Sequence, residues 1–216
     1  MILLRALLFA LLPTGLLACG APVCLVNPDS LALTRVITFD DIPSGGGPGL
    51  LTDDVLNLDG AQFGEHFAGQ GLAAADTHDQ VIGAALGPLI LLPGAPGQNL
   101  SVVHFYGNAV LNGYGPAGFP RREGQGEGAI AFLFDNDQSA LSFALRGGES
   151  GAALAQFLRR DGSVIGAVPI EPTGEFTLGF ARAGDIRDIA GVVLTNTDPE
   201  GIAIDTLRFG NPPDLS

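Results

Sequence analysis

Apolar side chains at every second position, in short runs cut by Gly, Pro, Asn and Asp, constrain this chain more than any other feature from about residue 35 onward. Alternate positions share one face of an extended strand, whereas one face of a helix needs spacings of three and four. The segment 129–146 is the longest without Gly or Pro. In it Ile130, Phe132 and Phe134 alternate, a polar cluster runs from Asp135 to Ser139, and Leu141, Phe143 and Leu145 alternate again. A helix needs apolar residues across that cluster, so two strands joined by a turn are expected. Further strands are expected over 35–40, 61–67, 100–106, 152–159, 163–169, 176–181, 189–196 and 202–209. Asp161-Gly162 is a hairpin signal between two of them, because both residues tolerate positive φ. About ten short strands at this spacing predict an all-β chain, an antiparallel sandwich or barrel. One modest helix is expected over 72–82, and the Gly-rich stretches 45–49 and 124–128 read as loops.

The last expected strand carries a phase error. Ile202 and Ile204 point to one side while Leu207 and Phe209 point to the other, and a bulge at Asp205-Thr206 repairs it by re-aiming everything that follows.

A chain of 216 residues with 46% hydrophobic residues is long and apolar enough for a sizeable core, which excludes disorder for most of it. No linker or fixed-period repeat divides it, so 35–210 is expected as one domain between a segment 19–34 and a tail 211–216. Ten Arg, no Lys and 23 Asp and Glu give a net charge of −13. That sign repels nucleic-acid phosphates and anionic membrane surfaces. Residues 1–18 hold one charge at Arg5, a short apolar run broken by Pro13 and Gly15, and a small residue at the end. They read as a secretory signal, not a membrane span, so export to the periplasm or exterior is expected, with no transmembrane segment in the mature chain. Cys19 and Cys24 are then expected to pair in an oxidising compartment. Leu16-Leu17-Ala18 before Cys19 also resembles the lipobox of bacterial lipoproteins, which makes a lipid anchor at Cys19 the alternative.

Catalytic signatures are missing. Ser150 in GGESG lacks the spacing of a nucleophile elbow, and His66, His78 and His104 show no paired metal-ligand spacing. GQGEG at 124–128 precedes a strand rather than opening a helix, so it offers no phosphate loop. The run from Asp135 begins like an EF-hand but has Ala140 where Gly is needed and Arg146 where a bidentate Glu belongs. A calcium site is expected instead from Asp40, Asp41 and Asp205, because the ends of a domain often lie close together and carboxylates are the hard ligands this ion takes. Tyr106, Asn108, Asn112 and Tyr114, in FYGNAVLNGYGP, are the candidate ligand-binding residues: the stretch is polar and holds both tyrosines, in a chain without Trp.

VITFDDIPSG near the start, GEGAIAFLFDNDQSALSF and FLRRDGSVIG in the middle, and NTDPEGIAIDTLRFG at the end together resemble secreted bacterial β-sandwich domains found in proteins with a PEP-CTERM sorting tail. That resemblance implies a jelly-roll-like sandwich, similar in outline to carbohydrate-binding modules, and carries no catalytic residues over. The chain departs from the pattern at NPPDLS, where an apolar tail and basic end would stand, so a sorted anchor is not expected. The leading expectation is a non-catalytic extracytoplasmic binding or adhesion module for a glycan or cell-surface partner, with calcium as structural ion. A polysaccharide-acting hydrolase or lyase with unidentified carboxylates is the alternative, and a structural or matrix protein the third.

Overall fold

The computed structural model describes residues 19–210 except 106 and 149. The expected signal, the tail and Tyr106 therefore lie outside the described residues. Seventeen strands are described: β1 (Val23–Val26), β2 (Arg35–Ile37), β3 (Leu50–Thr52), β4 (Leu56–Leu58), β5 (Ala61–Gly64), β6 (Gln70–Ala75), β7 (His78–Gly83), β8 (Leu100–Phe105), β9 (Asn108–Tyr114), β10 (Gln125–Gly128), β11 (Ile130–Gln138), β12 (Ala140–Gly147), β13 (Ala153–Leu158), β14 (Val164–Ile170), β15 (Phe176–Arg182), β16 (Ile189–Asn196) and β17 (Ile202–Phe209). Among the described residues there is no α-helix, and no helix long and apolar enough to cross a membrane.

The larger sheet runs β1-β15-β12-β17-β9-β8-β3, with β2 added to β17 and β10 to β9; the smaller runs β14-β13-β16-β11-β5-β4, and β6 and β7 form a separate hairpin. The chain changes sheet from β11 to β12, β12 to β13, β14 to β15, β15 to β16 and β16 to β17, so its second half weaves both layers of an antiparallel β-sandwich. The strand at 35–37 does lie beside the last strand, with Val36 opposite Arg208.

Alternation explains the core between the layers. Phe63, Phe132, Phe134, Phe143, Phe157, Phe180 and Phe209 are all fully buried there. Phe132 is central, its ring centroid 6.0 Å from Phe63, 5.6 Å from Phe134 and 6.3 Å from Phe143. The intervening residues Ala131 and Leu133 of β11 and Val193 of β16 are buried too, in a second cluster with Phe67, Leu89 and Leu91. The segment around 67–91 thus covers the outer face of the smaller sheet.

Three expectations are corrected. The chain has seventeen described strands rather than about ten: β1, β3, β4 and β10 are three or four residues long, too short for alternation to show, β9 runs through the polar stretch that holds Asn108 and Asn112, and β6 and β7 lie where a helix was expected. The segment 72–82 is not a helix but most of the β6–β7 hairpin, with Ala75 opposite His78 and Asp76 at φ +60° in the turn. Its alanines favour a helix, but Asp76 in the left-handed region breaks one, and Val81 packs on the second cluster. Residues 125–128 are a strand paired with β9 rather than a loop.

The N-terminal segment joins the larger sheet through β1, which pairs with β15. Arg182 at the end of β15 is 9% exposed. It donates to the Pro22 carbonyl at 2.8 Å and to Asp188 at 2.8 Å, and Asp188 also accepts from Arg159 at 2.9 Å. Cys19 and Cys24 are joined in a disulfide. Peptide mass mapping without reductant is expected to recover them as one linked peptide, and a diacylglyceryl group on Cys19 would overturn the pairing.

Candidate functional site

The phase error of β17 builds the first part of the site. Ser142 pairs with Arg208 but Ala144 pairs with Asp205, so β17 carries one extra residue between these pairs, and Thr206 sits at φ +48°. Ile202, Ile204, Leu207 and Phe209 consequently all face the core. Asp205 faces the other way yet is only 3% exposed. Its carboxylate accepts from Asn108 Nδ2 at 2.5 Å and from the Thr206 amide at 2.5 Å, and Arg146 lies 3.9 Å away. Asp40 accepts from the neighbouring Ala109 amide at 2.8 Å.

Two of the three expected calcium ligands therefore meet at the first two residues of β9, while Asp41 is exposed beside them. The groups facing Asp205 are two N–H donors and a guanidinium, which supply the charge compensation an ion would otherwise give. Among the described residues no three of His, Cys, Asp and Glu are grouped to hold a metal.

A groove of about 600 Å³ crosses the outer face of the larger sheet. Val110 and Asn112 of β9, Ala203 of β17, Arg146 of β12 and Gln125 of β10 line it, together with Arg122, Glu175 and Glu200 from connecting segments. The rim at Glu200-Gly201 is fixed from below by Asp198, which is fully buried. Asp198 accepts from the Thr173 hydroxyl at 2.5 Å and from the Glu200 amide at 2.9 Å. Gly201 and Gly126 both take positive φ and nearly touch: a Cβ on Gly126 would stand 2.8 Å from the Ile202 nitrogen. This crossing of β10 over the start of β17 excludes any side chain at either position.

Of the candidate ligand-binding residues, Asn112 lines the groove and donates to the Ser101 carbonyl at 3.0 Å. Asn108 lies two alternations earlier on the same face, held by Asp205. Tyr114 is fully buried, edge-on to Phe119 with centroids 5.4 Å apart, and offers no face for stacking. Burial pushes its hydroxyl pKa up. Arg122, Arg146, Glu175 and Glu200 were not singled out by the sequence, where they are scattered over four segments with no common motif.

No family model matches this chain, and no curated protein is significantly similar to it. Fold and groove define a class: an all-β antiparallel sandwich with a groove of mixed apolar and charged lining across one sheet.

Proposed function

We propose that this protein is a non-catalytic extracytoplasmic binding module whose groove takes an extended, polyhydroxylated chain, a glycan. The groove itself carries this reading. Sugar hydroxyls both donate and accept, and the lining offers guanidinium and amide donors at Arg122, Arg146 and Asn112 beside carboxylate acceptors at Glu175 and Glu200. Export of the chain rests on residues 1–18, and the disulfide is compatible with it.

A glycan array probed with the purified protein tests the reading. Arg122 is exposed, so Arg122→Ala is expected to leave the fold intact and weaken a retained glycan about tenfold, the value of one charged hydrogen bond. An array without retained glycans, or undiminished retention by Arg122→Ala and Glu200→Gln alike, would overturn it. The alternative of a polysaccharide-acting hydrolase or lyase is favoured by one observation, that Glu175 and Glu200 line the same groove. Release of new reducing or unsaturated ends from a retained glycan, lost in Glu200→Gln, would establish it.

A structural calcium ion at Asp40, Asp41 and Asp205 is a separate proposal, since its binding requires Asn108 and Arg146 to turn away from Asp205. Calcium is then expected to raise Tm and chelator to lower it in the wild type but not in Asp205→Ala. Equal melts with calcium and chelator would return the three aspartates to hydrogen-bonding roles.

A further inference from the structure

Glu65 directly follows β5, in phase with Ala61 and Phe63, which point into the core. It is fully buried, and neither carboxyl oxygen has a hydrogen-bond partner among the described residues. Two further acids act on it: Asp79 of β7 and Asp53, whose carboxylate accepts from the Gly97 amide at 2.9 Å. Asp79 is 8% exposed, accepts from the Ala129 amide, and opens onto a pocket of about 240 Å³ between the β6–β7 hairpin and residues Gln98 and Pro116. The remaining titratable groups nearby are His66, next in the chain; His78, which bonds Thr77 at 3.0 Å and the Asp198 carbonyl at 2.8 Å; and Glu127 of β10 with Glu123 beside it. None of these gives Glu65 a donor.

A buried carboxylate without donors and next to two acids is unstable as an anion, and a proton is the smallest group that relieves it. We propose that Glu65 and Asp79 form a proton-operated clasp, in which the β6–β7 hairpin stays seated on the sandwich while Glu65 is neutral and is loosened by repulsion between the two carboxylates once both are charged. Burial, with the charges of Asp79 and Asp53 adding to it, pushes Glu65 from 4.5 up to about 10. Burial also pushes Asp79 from 3.8 up to about 6, against the opposing effects of the Ala129 amide and His78. At neutral pH Glu65 therefore keeps its proton beside an ionised Asp79.

Both folded values are raised, so the folded state holds the protons more tightly. The Glu65 contribution to stability is complete below 4.5 and is lost progressively as pH climbs toward about 10. The hairpin yields first because it belongs to neither main sheet, and two strands alone are marginal in water. Its hold on the Asp198 carbonyl through His78 extends the effect toward the turn at Glu200.

Amide hydrogen exchange at pH 6 and pH 9, corrected for intrinsic rates, tests the clasp. Protection of the 70–83 amides in the wild type is expected to fall by at least about tenfold, while amides of β11 and β16 keep theirs. In Glu65→Gln, which cannot ionise at residue 65, hairpin protection should fall by no more than about twofold, the part that Asp79 still contributes. An equal fall in wild type and Glu65→Gln, or none in the wild type, overturns the proposal. Carboxyl ¹³C titration of Glu65 in the wild type needs no variant: a midpoint far above 4.5 supports the clasp, and titration in the ordinary carboxylate range sinks it.

Discussion

Asp188→Ala is expected to remove about 3 kcal/mol of folding stability, the low end of the cost of stripping a buried ion pair of one partner, and to lower Tm by about 6–12 °C. The cost arises at Arg182, whose side chain is 9% exposed and would keep its charge with no carboxylate against it among the described residues, facing the Pro22 carbonyl. Asp188 itself is 20% exposed, so water that enters its place relieves part of the loss. Arg159, the second partner of Asp188, is 38% exposed. Arg159→Ala should therefore cost no more than about 1 kcal/mol, as for a surface pair. Because Arg182 also ties β15 to residue 22, the Asp188 variant should lose protection at β1 before the rest of the larger sheet. Urea melts of both variants check this. An Asp188→Ala protein within about 0.5 kcal/mol of Arg159→Ala would mean that Arg182 does not depend on its carboxylate.

The larger features of this fold were legible because they repeat. Alternation gave both faces of β12, the Asp161-Gly162 turn appears with Gly162 at φ +84° between β13 and β14, and the phase error in β17 is a bulge where one was expected. What escaped was set by distant chain. The run from Ala129 to Phe134 is apolar on both faces of β11 because the 67–91 segment covers the outer one, and nothing within 129–134 announces that cover. β10 is held by pairing with β9 and by glycines that permit close crossing, a tertiary cause invisible in GQGEG. The groove is assembled from the outward positions of strands that are neighbours only in the sheet, so its arginines and glutamates carry no spacing signal. Glu65 is different: in AQFGEHF an acid stands in phase with Ala61 and Phe63, and that conflict between charge and pattern lies within seven consecutive residues of the sequence.

Inserting one alanine after Thr206 is expected to lower the melting temperature clearly, whereas deleting Thr206 is expected to leave the fold intact and its melting temperature close to that of the wild type. The asymmetry follows from register. With Thr206 removed, Ile202, Ile204, Leu207 and Phe209 fall at strict alternate positions, and the pairings Ser142 with Arg208 and Ala144 with Asp205 become one regular ladder. Thr206 is also a β-branched residue held at φ +48°, so its removal relieves strain rather than creating it. A second extra residue can be taken up in two ways, each at a cost: with the bulge kept, Leu207 and Phe209 turn out of the core at about 1.5–3 kcal/mol each, and with the bulge lost they stay inward but slide two positions along β12, away from the pairing of Arg208 with Ser142. The strand affected lies between β12 and β9 and also pairs with β2, so either loss lowers the stability of the whole sheet. Far-UV circular dichroism melts of the two variants separate the outcomes. If the insertion melts with the wild type, β17 tolerates a two-position slip against β12; if the deletion melts far below it, the bulge is needed for something other than phase, and the placement of Asp205 against Asn108 and Arg146 is the feature that a straight strand would lose.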